Sequence, residues 1–302
     1  MWKADLKDRL SCVPEEGKEL AHLSTLGVGG RCDFFIEPSD LKDVSLVFEA
    51  RTRENFPFFV LGGGSNVVFA DGIIDGVVLS TRRLNKRRWD TLDDRVILDA
   101  EAGYLLPSMV ADSVKYGLTG AEFATGIPGT IGGAIAGNAG AGEHSIGELL
   151  EEVTTVESTG DMRTWKRGEF VHSYRHFSLS SPDRFLATCK ASFRRAPLSE
   201  IERTLDVFRQ KRSTLPRGVK SAGCTFKNPP GDSAGRLLDL SGCKGLSVGG
   251  ATVSNVHANF IINTGRATGD DVFKLMQLCR GIVLRKMNIY LEPEIKLLGF
   301  SS

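Results

Sequence analysis

Apolar and polar positions alternate in two rhythms along the chain, one of period two and one near 3.6. Residues 31–37 (RCDFFIE) alternate as a strand does. Pro38–Ser39–Asp40 then opens a helix whose apolar positions, Leu41, Val44, Val47 and Phe48, keep helical spacing. Residues 56–70 (FPFFVLGGGSNVVFA) read as strand, glycine turn, strand, and Val77–Ser80 and Val96–Ala100 add short strands. Leu106–Tyr116 is helical and meets Gly117 as its C-cap. Strands are expected at 152–157 and 185–194, a helix over Ser199–Arg212, an irregular stretch from 213 to 232 and a short helix at 234–241. Asp270–Met287 is the last long helix and Tyr290–Gly299 a final strand. The fold class is α+β in two unequal parts. Composition shifts at Arg194–Arg195–Ala196–Pro197, which sets one domain at 1–196 and a second at 197–302. The last strand, 290–300, is free to pack back on the first domain.

One segment breaks both rhythms. Residues 123–142 (FATGIPGTIGGAIAGNAGAG) run for twenty positions without a charge and hold seven glycines. An uncharged run of this length is either a membrane span or main chain built to lie against a ligand. Each interior glycine costs a helix about 1 kcal/mol relative to alanine and Pro128 costs more, so a spanning helix is disfavoured. Main chain without Cβ atoms can instead approach a flat or anionic ligand closely. A second cluster, LGGGSN at 61–66, lies upstream, and two such loops suggest a cofactor with two parts to hold.

Composition narrows the setting. A chain of 302 residues has room for two domains and an ample core. Lysine plus arginine number 38 and aspartate plus glutamate 37, so no bulk charge points to nucleic acid. The densest basic patch, Arg82, Arg83, Lys86, Arg87 and Arg88, reads as a solvated loop. The N-terminus mixes charges at Lys3, Asp5, Lys7, Asp8 and Arg9 with no apolar core of a secretion signal, so a cytoplasmic, reduced setting is expected. Six cysteines without a C-x-x-C pair suggest neither a disulfide scaffold nor a zinc site. His172 and His176 stand four apart, but in a loop-like region without a third ligand, so no metal is expected. The pattern carries no signal of oligomeric state.

The loop at Gly62, Gly63 and Gly64 is not a dinucleotide fingerprint of the Rossmann kind. No glycine stands at 67, and a β-rich VVFA follows where a helix should begin. No G-x-x-x-x-G-K-[ST] occurs either. Successive N–H groups in a glycine turn can still form an anion nest, with Ser65 and Asn66 as added donors. The competing reading is a simple hairpin turn, which three glycines alone favour.

Six motifs in order carry a resemblance: LGGGSNVV at 61–68, GIPGTIGGAIAGNAGA at 126–141, SYR at 173–175, GCTFKNP at 223–229, GGATVSNVHANFIIN at 249–263 and LEPEI at 291–295. Together they resemble the UDP-N-acetylenolpyruvoylglucosamine reductases, flavoenzymes of peptidoglycan precursor synthesis, from about Thr25 to Gly299. The resemblance implies an FAD-binding domain of the vanillyl-alcohol oxidase type followed by a smaller α+β substrate-binding domain. It implies FAD and NADPH as cofactors and a nucleotide-sugar substrate, with neither nucleic acid nor membrane insertion. It also implies that Gly62, Gly63, Gly64, Ser65 and Asn66 hold FAD near its pyrophosphate. Gly126, Ile127, Pro128, Gly129, Ile131, Gly132 and Gly133 would face its ring system.

The reaction of that family is reduction of an enol ether. It needs a fixed cation for the substrate carboxylate, an acid beside the forming enolate and a proton donor. An arbitrary arginine is more often a surface ion pair, but within SYR the resemblance assigns Arg175 to the carboxylate, which a guanidinium can grip in a bidentate fork. Tyr174 beside it joins the substrate site. The resemblance sets Glu294, the second acid of LEPE, at the enolate. It would have to carry or share a proton, which burial brings about by raising a carboxyl's pKa. Cys224 departs from the G-S-x-F-K-N-P of most relatives. A lone cysteine is usually a small buried hydrophobe. At this position a thiol, with a reference pKa of about 8.5, is a competent proton donor, at the cost of sensitivity to oxidation. Lys227 and Asn228 are expected to reach the substrate's pyrophosphate, with Lys211, Arg212, Arg217 and Lys220 nearby in sequence. Asn255, His257 and Asn259 are expected to shape the second domain, His257 through a structural hydrogen bond.

Three other readings compete, one of them a flavin-binding module without catalysis, which would keep both glycine segments and not need Arg175, Cys224 and Glu294 together. Gly231-Asp232-Ser233-Ala234-Gly235 matches the G-x-S-x-G elbow of serine hydrolases, but Pro229 and Pro230 stand where a strand must lead in, and Ser233 reads better as a helix N-cap. Another FAD oxidoreductase of the same fold, acting on an alcohol or sugar, would share the first domain but not GCTFKNP or LEPE.

Overall fold

The computed structural model describes residues 2–180 and 183–300. The chain forms two compact units, the first made of 1–15, 34–63 and 77–212, the second of 16–33, 64–76 and 213–302. The division falls inside the GGGSN loop and inside two strands, Arg31–Ile36 and Ile73–Ser80.

The first unit contains five helices: α1 Trp2–Arg9, α2 Leu41–Glu54, α3 Leu106–Lys115, α4 Ile131–Ala136 and α5 Leu198–Ser213, whose last residue counts with the second unit. The carboxylate of Asp40 caps α2 by accepting from the N–H of Asp43 at 3.0 Å. Val44, Val47 and Phe48, the positions at helical spacing, are its buried face. Strand Phe58–Leu61 leads from α2 and runs parallel to Val77–Ser80. Helix α3 ends at Lys115, and Gly117 just beyond has φ +67°, the left-handed conformation that glycine takes without strain.

An antiparallel sheet fills the rest of this unit. Strand Phe185–Arg195 lies between Leu150–Val156 and Arg95–Glu101; Met162–Lys166 and Arg87–Leu92 form the outer edges. One core beneath it gathers Leu98, Met109, Phe123, Ile131, Trp165 and Phe193; another joins Leu6, Phe34, Phe48, Leu79 and Phe185.

The second unit packs α6 Ala234–Leu240 and α7 Gly269–Met287 on an antiparallel sheet ordered Lys220–Cys224, Phe260–Asn263, Ala251–Val253, Ser247–Val248. Thr268 and Asp271 close a capping box at the start of α7. The carboxylate of Asp71 adds two bonds there, accepting from the N–H groups of Gly269 (3.0 Å) and Asp270 (2.9 Å). Among the described residues no helix is long and apolar enough to cross a membrane; the uncharged 123–142 run contains only the six-residue α4.

Four expectations need correction. Arg87 and Arg88 are not in a loop: they start the edge strand Arg87–Leu92, where exposure on both faces leaves no alternation to read. His172 and His176 sit in a hairpin, Phe170–Ser173 paired with His176–Leu179. The stretch 213–232 contains the strand Lys220–Cys224, bulged between Ser221 and Cys224. The final strand is only Lys296–Leu298, parallel to Val67–Phe69, because Pro293 interrupts the ladder before it.

Candidate functional site

Strand Phe58–Leu61 pairs with Val77–Ser80, whereas Val67–Phe69 pairs with Lys296–Leu298. The strands on either side of Gly62–Asn66 are therefore not partners, and the loop is not a hairpin turn. Within the first unit, Gly62 and Gly63 lie against the second glycine segment. A Cβ on Gly62 would stand 2.7 Å from Oγ1 of Thr130, and one on Gly63 would stand 2.7 Å from Cα of Gly129. Glycine is required here because two lengths of main chain touch.

The second segment is held by main-chain bonds. Leu106 N–H donates to Gly129 O (3.0 Å), Ile131 N–H to Tyr104 O (2.8 Å) and Gly132 N–H to Ala102 O (2.9 Å). Thr130 then caps α4 by accepting from the N–H of Gly133 at 3.3 Å. Gly126 and Gly129 have φ of +70° and +118°, conformations closed to most side chains. Beside Gly126, Oγ1 of Thr125 is buried without a hydrogen-bond partner among the described residues. A buried hydroxyl left unpaired in the protein fits a place where a polar ligand completes the bonding. With the bare main chain around it, this segment suits the edge of a flavin.

Tyr174 and Arg175 form the two-residue tip of the 170–179 hairpin, closed by the pair Ser173 and His176. Arg175 has φ +53°, and its Nη1 donates to Gly140 O at 3.4 Å. Its guanidinium lies 5.2 Å from the Tyr174 ring centre. Asn138 anchors this tip to the glycine segment: its Nδ2 donates to Ser173 O (2.7 Å) while its Oδ1 accepts from Gly147 N–H (3.0 Å). Sequence reasoning gave Asn138 no role. The available signal was one amide in a run otherwise made of small apolar residues and glycine.

In the second unit the GCTFKNP and LEPE segments are joined. Glu294 N–H donates to Thr225 O at 2.9 Å, Lys227 N–H donates to Glu292 O at 2.9 Å, and Phe226 forms an antiparallel bridge with Pro293. Cys224 and Glu294 thus lie on neighbouring stretches, each half-buried. Glu292 is exposed and takes the ammonium of Lys227 at 2.6 Å, so the two acids of LEPE are separated by environment. Asn228 Oδ1 accepts from Ala234 N–H at 3.0 Å, at the start of α6. Asn66 Nδ2 donates to Glu294 O at 3.1 Å and Asn66 O accepts from Lys296 N–H at 3.0 Å. Ser65 is half-buried in the same loop.

Asn259 holds this junction from beneath. Almost fully buried, it accepts from Phe226 N–H (2.9 Å) and donates to Phe226 O (2.8 Å), while its own carbonyl accepts from Thr225 N–H (2.8 Å). His257 plays the structural part expected of it: Nδ1 accepts from Asn259 N–H at 3.2 Å. Burial, and after it the nearby Lys244 charge, hold its pKa below the ordinary 6.5. Ser233 is the N-cap of α6, accepting from Arg236 N–H at 3.2 Å. The strand before it ends at Cys224, so the hydrolase elbow has no strand to stand on. No group of His, Cys, Asp and Glu suited to a metal ion occurs among the described residues.

Known proteins match the chain over nearly its whole length. Residues 32–166 match the FAD binding domain, and residues 215–298 match the C-terminal domain of UDP-N-acetylenolpyruvoylglucosamine reductase. The chain is 37% identical over 298 residues to the UDP-N-acetylenolpyruvoylglucosamine reductase of Carboxydothermus hydrogenoformans, with 98% of each chain covered. It is 35% identical over 285 residues to that of Chlamydia felis, with 94% of each covered. The crystal structure of UDP-N-acetylenolpyruvylglucosamine reductase from Thermus caldophilus matches with a TM-score of 0.79 at 33% identity, covering 94% of this chain and 98% of that one. Fold and matches define an FAD-dependent oxidoreductase. The chain belongs to the UDP-N-acetylenolpyruvoylglucosamine reductase family.

Two measurements follow. Gly63→Ala forces Cβ onto the main chain of Gly129, and overpacking of this kind destabilises by about 1–3 kcal/mol. Chemical denaturation should show that loss, and a stability equal to wild type would mean the two segments do not touch. For His257 the unfolded chain takes up a proton near 6.5 while the folded chain does so only at lower pH. Stability should therefore fall as pH drops below that value, and fall less steeply in His257→Gln. Parallel melting-temperature profiles for the two proteins would exclude His257 as the source.

Proposed function

We propose that this protein reduces the enolpyruvyl ether of UDP-N-acetylglucosamine enolpyruvate to UDP-N-acetylmuramate, with NADPH as electron source, in cytoplasmic synthesis of peptidoglycan precursors. The observation that carries the reading is the joining of the Cys224 and Glu294 segments through Thr225, on the Asn259 clamp. It gives one rigid support to a proton donor and an acid that the chain's order keeps far apart.

The first domain is read as the holder of FAD through Gly62–Asn66 and Gly126–Gly133, and the second as the substrate-binding domain. When bound, FAD supplies the hydride that reaches the vinyl carbon of the substrate. The protein's own groups handle the charge and the proton. Arg175, with the left-handed tip presenting it beside Tyr174, binds the substrate carboxylate in a bidentate fork. Glu294, half-buried, donates a hydrogen bond to the carboxylate-derived oxygen as negative charge gathers there. Cys224 gives its thiol proton to the carbon next to the one that received hydride, and the thiolate is reprotonated before the next cycle. Lys227 would exchange its Glu292 partner for the pyrophosphate, a swap of one charge-assisted pair for another. Asn228, which caps α6 through its Oδ1, stands beside Lys227 in this reading.

Turnover with the enolpyruvyl nucleotide tests the proton donor. Cys224→Ser should retain most activity, whereas Cys224→Ala should lose about 10²-fold or more in kcat with KM little changed. Near-normal turnover of the alanine protein would refute the assignment. Thr125→Val tests the flavin site without turnover. Removing a hydroxyl that has no protein partner should leave the FAD-free protein at least as stable while weakening FAD binding several-fold, about 1 kcal/mol. Equal FAD affinity in fluorescence titrations would place the flavin elsewhere.

A further inference from the structure

The first unit has a second cleft that the reaction does not use. It holds about 550 Å³ and is bounded by the edge strand Arg87–Leu92, the end of α3 and the end of strand Phe185–Arg195. Arg87, Arg88, Lys115 and Arg195 line it, together with Trp89 and Tyr116. It absorbs part of the basic run that the sequence presents as a merely solvated loop.

The charges here are only half balanced. Arg87 lies 3.6 Å from Asp112, which also accepts from the Tyr104 hydroxyl at 2.6 Å, and Arg88 lies 2.7 Å from Asp90. Among the described residues no carboxylate lies within ion-pair distance of Lys115 or Arg195; the Lys115 ammonium stands 5.8 Å from the Tyr116 ring centre, so two cations without a counter-charge border the exposed ring. The aromatic wall is already set. Trp89 meets Tyr116 edge to face at 5.7 Å and packs on Phe193 at 5.2 Å, while Tyr116 itself is 44% exposed. The Trp89 indole N–H is buried without an acceptor, a donor the fold does not use. A concave site with an exposed ring held in place and two spare cations selects a small molecule with a planar ring and about two negative charges.

We propose that this cleft binds a nucleoside phosphate, its base against Tyr116 and its phosphates between Lys115 and Arg195. The volume suits such a ligand, and concavity disfavours a flat macromolecular surface. None of its lining residues is among those assigned to hydride and proton transfer, so it is not needed for basal turnover.

Calorimetric titration of the FAD-loaded protein with ADP, adenosine and pyrophosphate tests this. ADP should bind at least about tenfold more tightly than either fragment, because ring and charge are both read. Lys115→Glu combined with Arg195→Glu should weaken ADP by about tenfold or more, and the milder Lys115→Gln/Arg195→Gln pair by less. Tyr116→Ala should also weaken ADP while restoring parity between ADP and pyrophosphate. Flavin absorbance and turnover should stay at wild-type values in each variant, and each should remain folded at the titration temperature. The proposal fails if ADP does not bind, if pyrophosphate alone matches it on the wild-type protein, or if ADP affinity survives the charge reversals.

Discussion

Two lengths of chain meet at Gly62–Gly63 and Gly129–Thr130, main chain on main chain at Gly63 and main chain on the Thr130 hydroxyl at Gly62. That contact constrains everything placed around it. A methyl group added at Gly62 or Gly63 would push the segments apart, and interiors at crystal-like density do not absorb such shifts locally. The second segment in turn carries Thr130, whose cap starts α4, and continues to Asn138, which ties down the hairpin bearing Arg175. A chain of short-range requirements thus runs from an absent side chain to the position of a guanidinium. The positive φ of Arg175 belongs to the same logic: it stores modest strain where a functional group must project.

In the second unit the corresponding role falls to a side chain. Asn259 satisfies both main-chain groups of Phe226 and so fixes the path of residues 224–227. Replacing a two-point amide clamp by an apolar residue would leave an N–H and a C=O buried without partners. His257 orients Asn259 only as a neutral ring, because protonating Nδ1 removes its ability to accept. The path of residues 224–227 and the proton occupancy of His257 are therefore linked.

How much was readable beforehand follows from how local each signal is. Helices α2 and α7 announce themselves through apolar spacing and capping residues that act within one turn. Both glycine segments, Cys224 and Glu294 could be named from short motifs. Arg175 could be named too, yet its hairpin could not. Phe170–Ser173 and His176–Leu179 are short and half-exposed, with a Tyr-Arg tip where glycine or asparagine would signal a turn. The edge strand Arg87–Leu92 hides for a related reason, since five of its six positions are exposed and no face is apolar. Asn138 and Thr125 carry no signal in the sequence, because what sets them apart is a set of remote partners for the first and, among the described residues, no hydrogen-bond partner for the hydroxyl of the second. The strand Lys220–Cys224 is obscured by its bulge and by residues too small to alternate.

The interleaving of the two units bears on how the molecule is made. Leu26, Val28 and Val68 share a core with Leu291 and Ile295, and Val67–Phe69 waits for Lys296–Leu298 as its parallel neighbour. During synthesis those early residues meet the rest of their core only once the stretch from Ala222 onward has been made, so an apolar strand stays exposed in the meantime. The parallel pairing of Val67–Phe69 with Lys296–Leu298 thus makes a late strand the closing piece of an early one, and the second unit is finished only when both are in place.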